Sequence, residues 1–169
     1  MMKGSEVLGG PAFEVRGNDR EIIVRRTFNA PRELVFDAFT SVDHISNWWG
    51  PEGFRTTTEH MDVRPGGVWR HVMHAPDGTD YPNYIVYQEV ERPAKLAWAH
   101  GTREGEPFAF HATVTFEEIE GGTQVTLHQV HPTKEQRDML VEQVGALEGG
   151  KNTLDRFARV VDALQQAHA

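Results

Sequence analysis

The stretch that most constrains this 169-residue chain is its C-terminal end, from Thr133 to about Ala167. Leu140, Val144, Leu147, Leu154, Phe157, Val161 and Leu164 recur in steps of three, four and seven. That spacing puts them on one face of a single long helix. The start is signalled as well: Thr133 precedes Gln136 by three residues, the spacing of a capping box, and Glu135 adds negative charge to the first turn. The stripe has one gap, at Gly150, with Gly149 before it. Each glycine weakens a helix interior by roughly 0.8–1 kcal/mol relative to alanine. Two readings stand. The glycines permit a kink or a close packing contact, or they leave volume between helix and core that holds a ligand.

A long apolar face needs a partner, and the preceding sequence supplies strands. Residues 1–19, rich in glycine and polar groups, are expected as a flexible N-terminal arm, and residues 20–169 as a single domain. Arg20 to Phe28 alternates as a strand. Asn29-Ala30-Pro31 ends it and opens a helix with an apolar face of Leu34, Val35, Ala38 and Phe39. Ser41 or Asp43 caps a second short helix through His44, Ile45 and Trp48, which Trp49-Gly50-Pro51 stops. Strands follow at 54–63, 68–74, 81–90, 95–100, 108–119 and 123–130, divided by turn signals such as Ala75-Pro76-Asp77-Gly78 and Glu120-Gly121-Gly122. Consecutive strands with short links make an antiparallel meander. Its dry face is the one large surface able to bury the helix stripe, so the expected class is α+β, a curved sheet gripping a helix.

Alternation assigns several inward faces. Phe108, Phe110, Ala112, Val114 and Phe116 share one side, as do Leu96, Trp98 and His100, and Trp69, His71 and Met73. Val125 and Leu127 carry Gln129 and His131 inward with them. The strands at 54–63 and 81–90 do not declare a face. The inner surface is thus aromatic with a few convergent polar groups, the usual make-up of a small-molecule site.

Several function classes are set aside. The net charge is −8 and no basic stretch answers a phosphate backbone, so nucleic acid is not expected as a partner. There is no cysteine, which removes disulfides, thiolate metal sites and a cysteine nucleophile. The nine histidines lack ligand spacing: His71/His74 and His128/His131 are three apart on strands and divide between faces. No nucleophile elbow, phosphate loop or dinucleotide fingerprint occurs, and no metal or cofactor is expected. Nothing approaches the roughly 18 apolar residues of a membrane span, and the N-terminus lacks a signal-peptide core. A cytoplasmic protein away from membranes is the expectation.

The ordered motifs resemble a known family. Thr27-Phe28-Asn29-Ala30-Pro31, Trp48-Trp49-Gly50-Pro51, Asp62 to Arg70, Pro76 to Pro82, Glu89 to Pro93, Val114 to Glu118 and Gly145 to Leu154 resemble the START-like, helix-grip (SRPBCC) superfamily, which includes polyketide cyclases and birch-pollen-allergen-type proteins. They look most like the branch homologous to the activator of the 90-kDa heat shock protein ATPase, over roughly Glu21 to Leu164. The resemblance implies a seven-stranded antiparallel sheet wrapped around a long C-terminal helix, two short helices between the first two strands, and a hydrophobic cavity. It implies less about activity, since members include binders, a self-sacrificing resistance protein, cyclases and a co-chaperone domain.

The expected function is binding of a hydrophobic, ring-containing small molecule between sheet and helix. Trp48, Trp69, Met73, Trp98, Phe110, Leu147, Leu154 and the space at Gly150 would line the cavity, with His71, His100 and Gln129 as polar anchors. One alternative is a cyclase- or hydrolase-type enzyme using His71 or His100 as acid or base. Another is a stress-response module that contacts a chaperone through Trp49 and the Gly50–Phe54 loop. A homodimer stays open.

Overall fold

A computed structural model describes residues 5–6, 13–17, 20–143 and 146–167, with side-chain surroundings over 20–138 and 153–167. In chain order the strands and helices are β1 (Ser5–Glu6), β2 (Phe13–Gly17), β3 (Glu21–Phe28), α1 (Arg32–Thr40), α2 (Val42–Ile45), β4 (Arg55–Met61), β5 (Val68–His74), β6 (Asp80–Glu91), β7 (Lys95–Gly101), β8 (Phe110–Ile119), β9 (Gly122–Val130), α3 (Lys134–Gln143) and α4 (Ala146–Ala167). All strand pairs are antiparallel, in the order β1-β2-β3-β9-β8-β7-β6-β5-β4. The seven expected strands are β3 to β9. Two more come from the expected arm: β2 pairs with β3 from Phe13↔Arg26 to Gly17↔Ile22, and β1 pairs with β2.

The helices between β3 and β4 carry the chain from one end of this seven-stranded sheet to the other. Pro31, with φ −65°, sits at the N-cap, and its carbonyl accepts from Val35 N–H at 3.1 Å. Val35, Phe36, Ala38 and Phe39 bury the inner face of α1. The second helix is shorter than the sequence suggests. It ends at Ile45, and the chain turns so that Trp48 and Trp49 N–H both donate to the Ile45 carbonyl. Gly50 then adopts φ +94°, and a Cβ there would stand 2.7 Å from Met73 Cε. At the far end, Gly122 passes so close to β3 that a Cβ would lie 2.1 Å from the Phe28 carbonyl oxygen.

The single C-terminal helix expected from Thr133 is instead two, α3 and α4. The start signal holds: Gln136 N–H donates to Thr133 Oγ1 at 3.1 Å. Val144 and Gly145, between the two helices, lie outside the described residues. The later half of the stripe behaves as read. Leu154, Phe157 and Val161 are buried and Leu164 packs against the same core. The side-chain surroundings of Leu140, Leu147 and Gly150 lie outside the described residues.

Phe157 organises the core. Its ring centroid lies 4.4 Å from Trp48, 5.1 Å from Phe28 and 5.5 Å from Phe39, which joins α4 to β3, α1 and the turn after α2. Burying an aromatic side chain of this kind contributes about 2–3 kcal/mol by area alone. Phe36 and Phe39 meet Phe116 of β8 edge-on, closing the helices onto the sheet.

The β8 alternation is as read for Ala112, Val114 and Phe116, which are buried, with Phe110 partly so. Phe108 is a correction: it precedes the strand and is 38 % exposed. The two ambiguous strands are resolved, and each carries an irregularity. In β4 the register shifts between Thr58 and His60, and Thr56 is buried before the shift. In β6 it shifts between Tyr87 and Glu89, with Ile85 and Tyr87 buried before it and Val90 packed on the core after it. A bulge moves the side chains beyond it to the other face, which is why strict alternation fails there.

Candidate functional site

Cross-strand register aligns a row of side chains on the concave face. Trp69 pairs with Ile85, Ile85 with His100, and His100 with Phe110, so β5 to β8 each contribute one member. Directly opposed residues in an antiparallel sheet share a face. His131, just past β9, extends the row: its ring lies 5.0 Å from that of Phe110, and its backbone N–H donates to the Arg20 carbonyl at 2.8 Å. One pair lies beside this row, His71 opposite Asn83. On the other flank lie Tyr87, Trp98, Ala112 and Gln129.

Three histidines therefore sit among rings. His71 stacks on Trp69 with centroids 3.7 Å apart and an interplanar angle of 22°, and meets the edge of Trp49 at 5.8 Å. His100 stacks on Phe110 at 4.5 Å and 19°. The His100 hydrogen bonds settle its tautomer. Trp98 Nε1–H is 3.3 Å from His100 Nδ1, and an indole nitrogen can only donate, so Nδ1 accepts. The proton then resides on Nε2, which donates to Asn83 Oδ1 at 2.9 Å. Asn83 Nδ2 in turn donates to the Tyr81 carbonyl at 3.0 Å, which fixes the amide orientation. Both His100 nitrogens are thereby satisfied in the neutral form.

His71 and His131 differ. Each is about 1 % exposed, and neither ring nitrogen of either has a hydrogen-bond partner. Burial lowers the His71 pKa to about 3, with His100 adding a smaller push in the same direction. Burial lowers His100 to about 4. His131 is lowered by burial and then by the positive charge of Arg137. At neutral pH all three are uncharged imidazoles. A base whose conjugate acid ionises at about 3 or 4 is weak, so His71 and His100 are poorly matched to acid–base catalysis near pH 7.

Other expected site residues divide. Trp69, His71, Trp98, His100 and Phe110 come together as described. Gln129 is half-buried in the row of Trp98. Met73 lies against Gly50, beside Phe54. Trp48 is not on the row: it is fully buried against Phe39 and Phe157, and its indole N–H donates to the Ala38 carbonyl at 3.0 Å. Its neighbour Trp49 faces the site, 4.9 Å from Trp69 and 6.3 Å from Trp98. The Trp49 ring is thus turned inward rather than presented on the 50–54 loop. Leu154 is buried in the core, and the surroundings of Leu147 and Gly150 lie outside the described residues. Where Trp49, Trp69, Trp98, Ile85 and Tyr87 meet Phe39 and Ile45, the packing is too tight to admit a water molecule.

Two arginines were not anticipated. Arg156 of α4 donates to the carbonyls of Gly50 at 2.9 Å, Pro51 at 3.0 Å and Asn47 at 3.1 Å, and so ties the Trp48–Pro51 turn to the helix. Arg137 of α3 is 8 % exposed, bonds Asp138 at 3.0 Å, and leaves its Nε buried without a partner. A charged side chain on a helix sends no sequence signal of inward placement. Among the described residues no cluster of metal-ligating side chains forms, and no helix is long and apolar enough to cross a membrane.

Comparison with known proteins gives one family. The family model described as Activator of Hsp90 ATPase homolog 1-like protein matches residues 29–162. Several solved structures share the fold. Protein Ms6760 from Mycobacterium smegmatis is 23 % identical, with 89 % of this chain and 97 % of that one covered at a TM-score of 0.81. Protein NE0264 from Nitrosomonas europaea is 24 % identical over 89 % and 99 % at 0.78. An AHSA1-like protein from Aeromonas hydrophila is 24 % identical over 85 % and 93 % at 0.67. No curated protein matches the sequence.

Proposed function

The chain belongs to the Activator of Hsp90 ATPase homolog 1-like family of helix-grip proteins, and from that premise we propose that it binds a hydrophobic, ring-containing small molecule on the concave face of its sheet. One observation carries the reading. His71 is buried against Trp69 and Trp49 with both ring nitrogens unpartnered, and His131 repeats this at the other end of the row. Leaving a buried polar group unsatisfied costs about 1–3 kcal/mol. Such groups are rare in folded proteins, and one lying among apolar rings suits a ligand that supplies the missing hydrogen bond. The tightly packed aromatic cluster around Trp98 serves as the floor, and the bound ring lies over the Trp69–His100–Phe110 row.

Gly150 belongs to the same proposal as the opening above that row, on the sequence argument that a missing side chain in the α4 stripe leaves volume. The test has two arms. Native mass spectrometry of protein purified from its source is expected to show a co-purified small molecule. Gly150→Trp is expected to abolish its retention while the far-ultraviolet circular dichroism stays native. Full retention by a folded Gly150→Trp protein would remove the helix side of the site from the proposal. No small molecule on the wild-type protein, together with no response of tryptophan fluorescence to a library of ring compounds, would reject it altogether.

A further inference from the structure

We propose that the ligand carries a carboxylate, held by Arg137 and His131 at the β9 end of the row while its rings extend over Phe110 and His100. This rests on the binding reading above and narrows it to one chemical class, aromatic or fused-ring acids.

The inference starts from two polar side chains that the fold buries and leaves incomplete. Arg137 is more than nine-tenths buried and, among the described residues, its ion pair is with Asp138. Asp138 is itself shared, since Lys134 Nζ bonds its other oxygen at 2.8 Å. Arg137 Nε, a donor with no acceptor, is buried. A guanidinium withdrawn from water is completed best by an anionic oxygen, and its planar fork matches a carboxylate. His131, near enough to feel the charge of Arg137, has two unpartnered ring nitrogens of which one bears a proton in the neutral form. It supplies a second donor to the same group.

The row then fixes what is attached to that group. Phe110 is 5.0 Å from His131 and 4.5 Å from His100, so an apolar stacking surface begins directly beside the polar end. Neighbouring strands are about 4.8 Å apart, so a two-ring body spans the β8 and β7 members. His100, one face of which is covered by Phe110, offers it apolar ring surface and no free hydrogen-bonding atom, because both of its nitrogens are already engaged. A phosphate fits less well. The polar end holds Arg137 and an uncharged imidazole, with Lys134 engaged by Asp138, and a dianion asks for more positive charge than that.

The probes are 2-naphthoate and its methyl ester, titrated into the full chain by calorimetry at pH 7.5. The acid is expected to bind about 10-fold or more tightly than the ester, the scale of one charge-assisted hydrogen bond. Arg137→Met is expected to erase that preference by weakening the acid alone, and Arg137→Lys to restore part of it. The His131 side-chain resonances are expected to move with the acid and not with the ester. Equal binding of acid and ester by the wild-type protein would overturn the carboxylate inference while leaving the ring-binding reading intact. Binding of neither would overturn both. Should Arg137→Met fail to fold, the wild-type preference and the His131→Phe variant decide the matter: an acid preference that His131→Phe reduces supports the inference, and one it leaves unchanged rejects it.

Discussion

Replacing Arg156 by methionine tests how the tryptophan turn is held. The variant keeps most of the apolar stem and removes the guanidinium. Three carbonyl oxygens, those of Asn47, Gly50 and Pro51, then lose a donor at 2.9–3.1 Å. A hydrogen bond to a charged group contributes about 1.5–3 kcal/mol, but one guanidinium makes all three and their contributions do not simply add. Asn47 is exposed, so water replaces that bond, whereas Gly50 is buried and its carbonyl is left poorly served. The expected loss is about 2–4 kcal/mol. At roughly 2–4 °C per kcal/mol for a domain of this size, Tm falls by about 4–16 °C. Urea unfolding should show a lower midpoint with an unchanged slope, and Trp49 emission should shift to the red as the turn loosens against Trp69. A Tm within about 1 °C of wild type would show that water substitutes fully for Arg156 and that the turn is held by its rings alone.

Two further outcomes follow from the same packing. His71 and His100 have native pKa values of about 3 and 4, below the 6.5 of an unfolded histidine, so the unfolded state binds more protons between these limits. Stability therefore rises with pH through that window and is lost as pH falls below 6.5, by about 2 kcal/mol per histidine at pH 5; His71→Leu should flatten part of the slope in urea titrations from pH 7 to 5, and an unchanged slope would contradict the burial argument. Phe157→Ala should cost about 3–5 kcal/mol in the same assay, since its ring joins Trp48, Phe28 and Phe39, and a loss below about 1 kcal/mol would show that the core closes over the gap.

The fold was readable where local pattern and tertiary environment agree. Strict alternation in β8 named Ala112, Val114 and Phe116 as inward, and turn signals bounded β5 at Val68 and His74. It failed where a backbone irregularity interrupts the period. The shifts after Thr58 in β4 and after Tyr87 in β6 exchange the two faces, and no residue type in those strands announces a bulge. The site was half legible. Alternation joined Trp69 with His71 and Trp98 with His100, but it cannot choose between adjacent tryptophans in a turn, and Trp49 rather than Trp48 reaches the row. Arg137 and Arg156 escaped because helical charges normally face solvent, and only the tertiary fold buries Arg137 and brings carbonyls to Arg156.

The pairing of β3 with β9 has a consequence for how the chain is made. Their partners lie about a hundred positions apart, as the Arg25–Thr126 hydrogen bond shows with a separation of 101. Synthesis proceeds at about 5–20 residues per second, so β3 leaves the ribosome roughly 5–20 s before β9 exists. Through that interval Ile22, Val24 and Phe28, all buried in the finished protein, lack the strand that covers them. Pairings between such distant segments are entropically costly and form slowly. The nascent chain thus spends its most aggregation-prone seconds waiting for its own last strand.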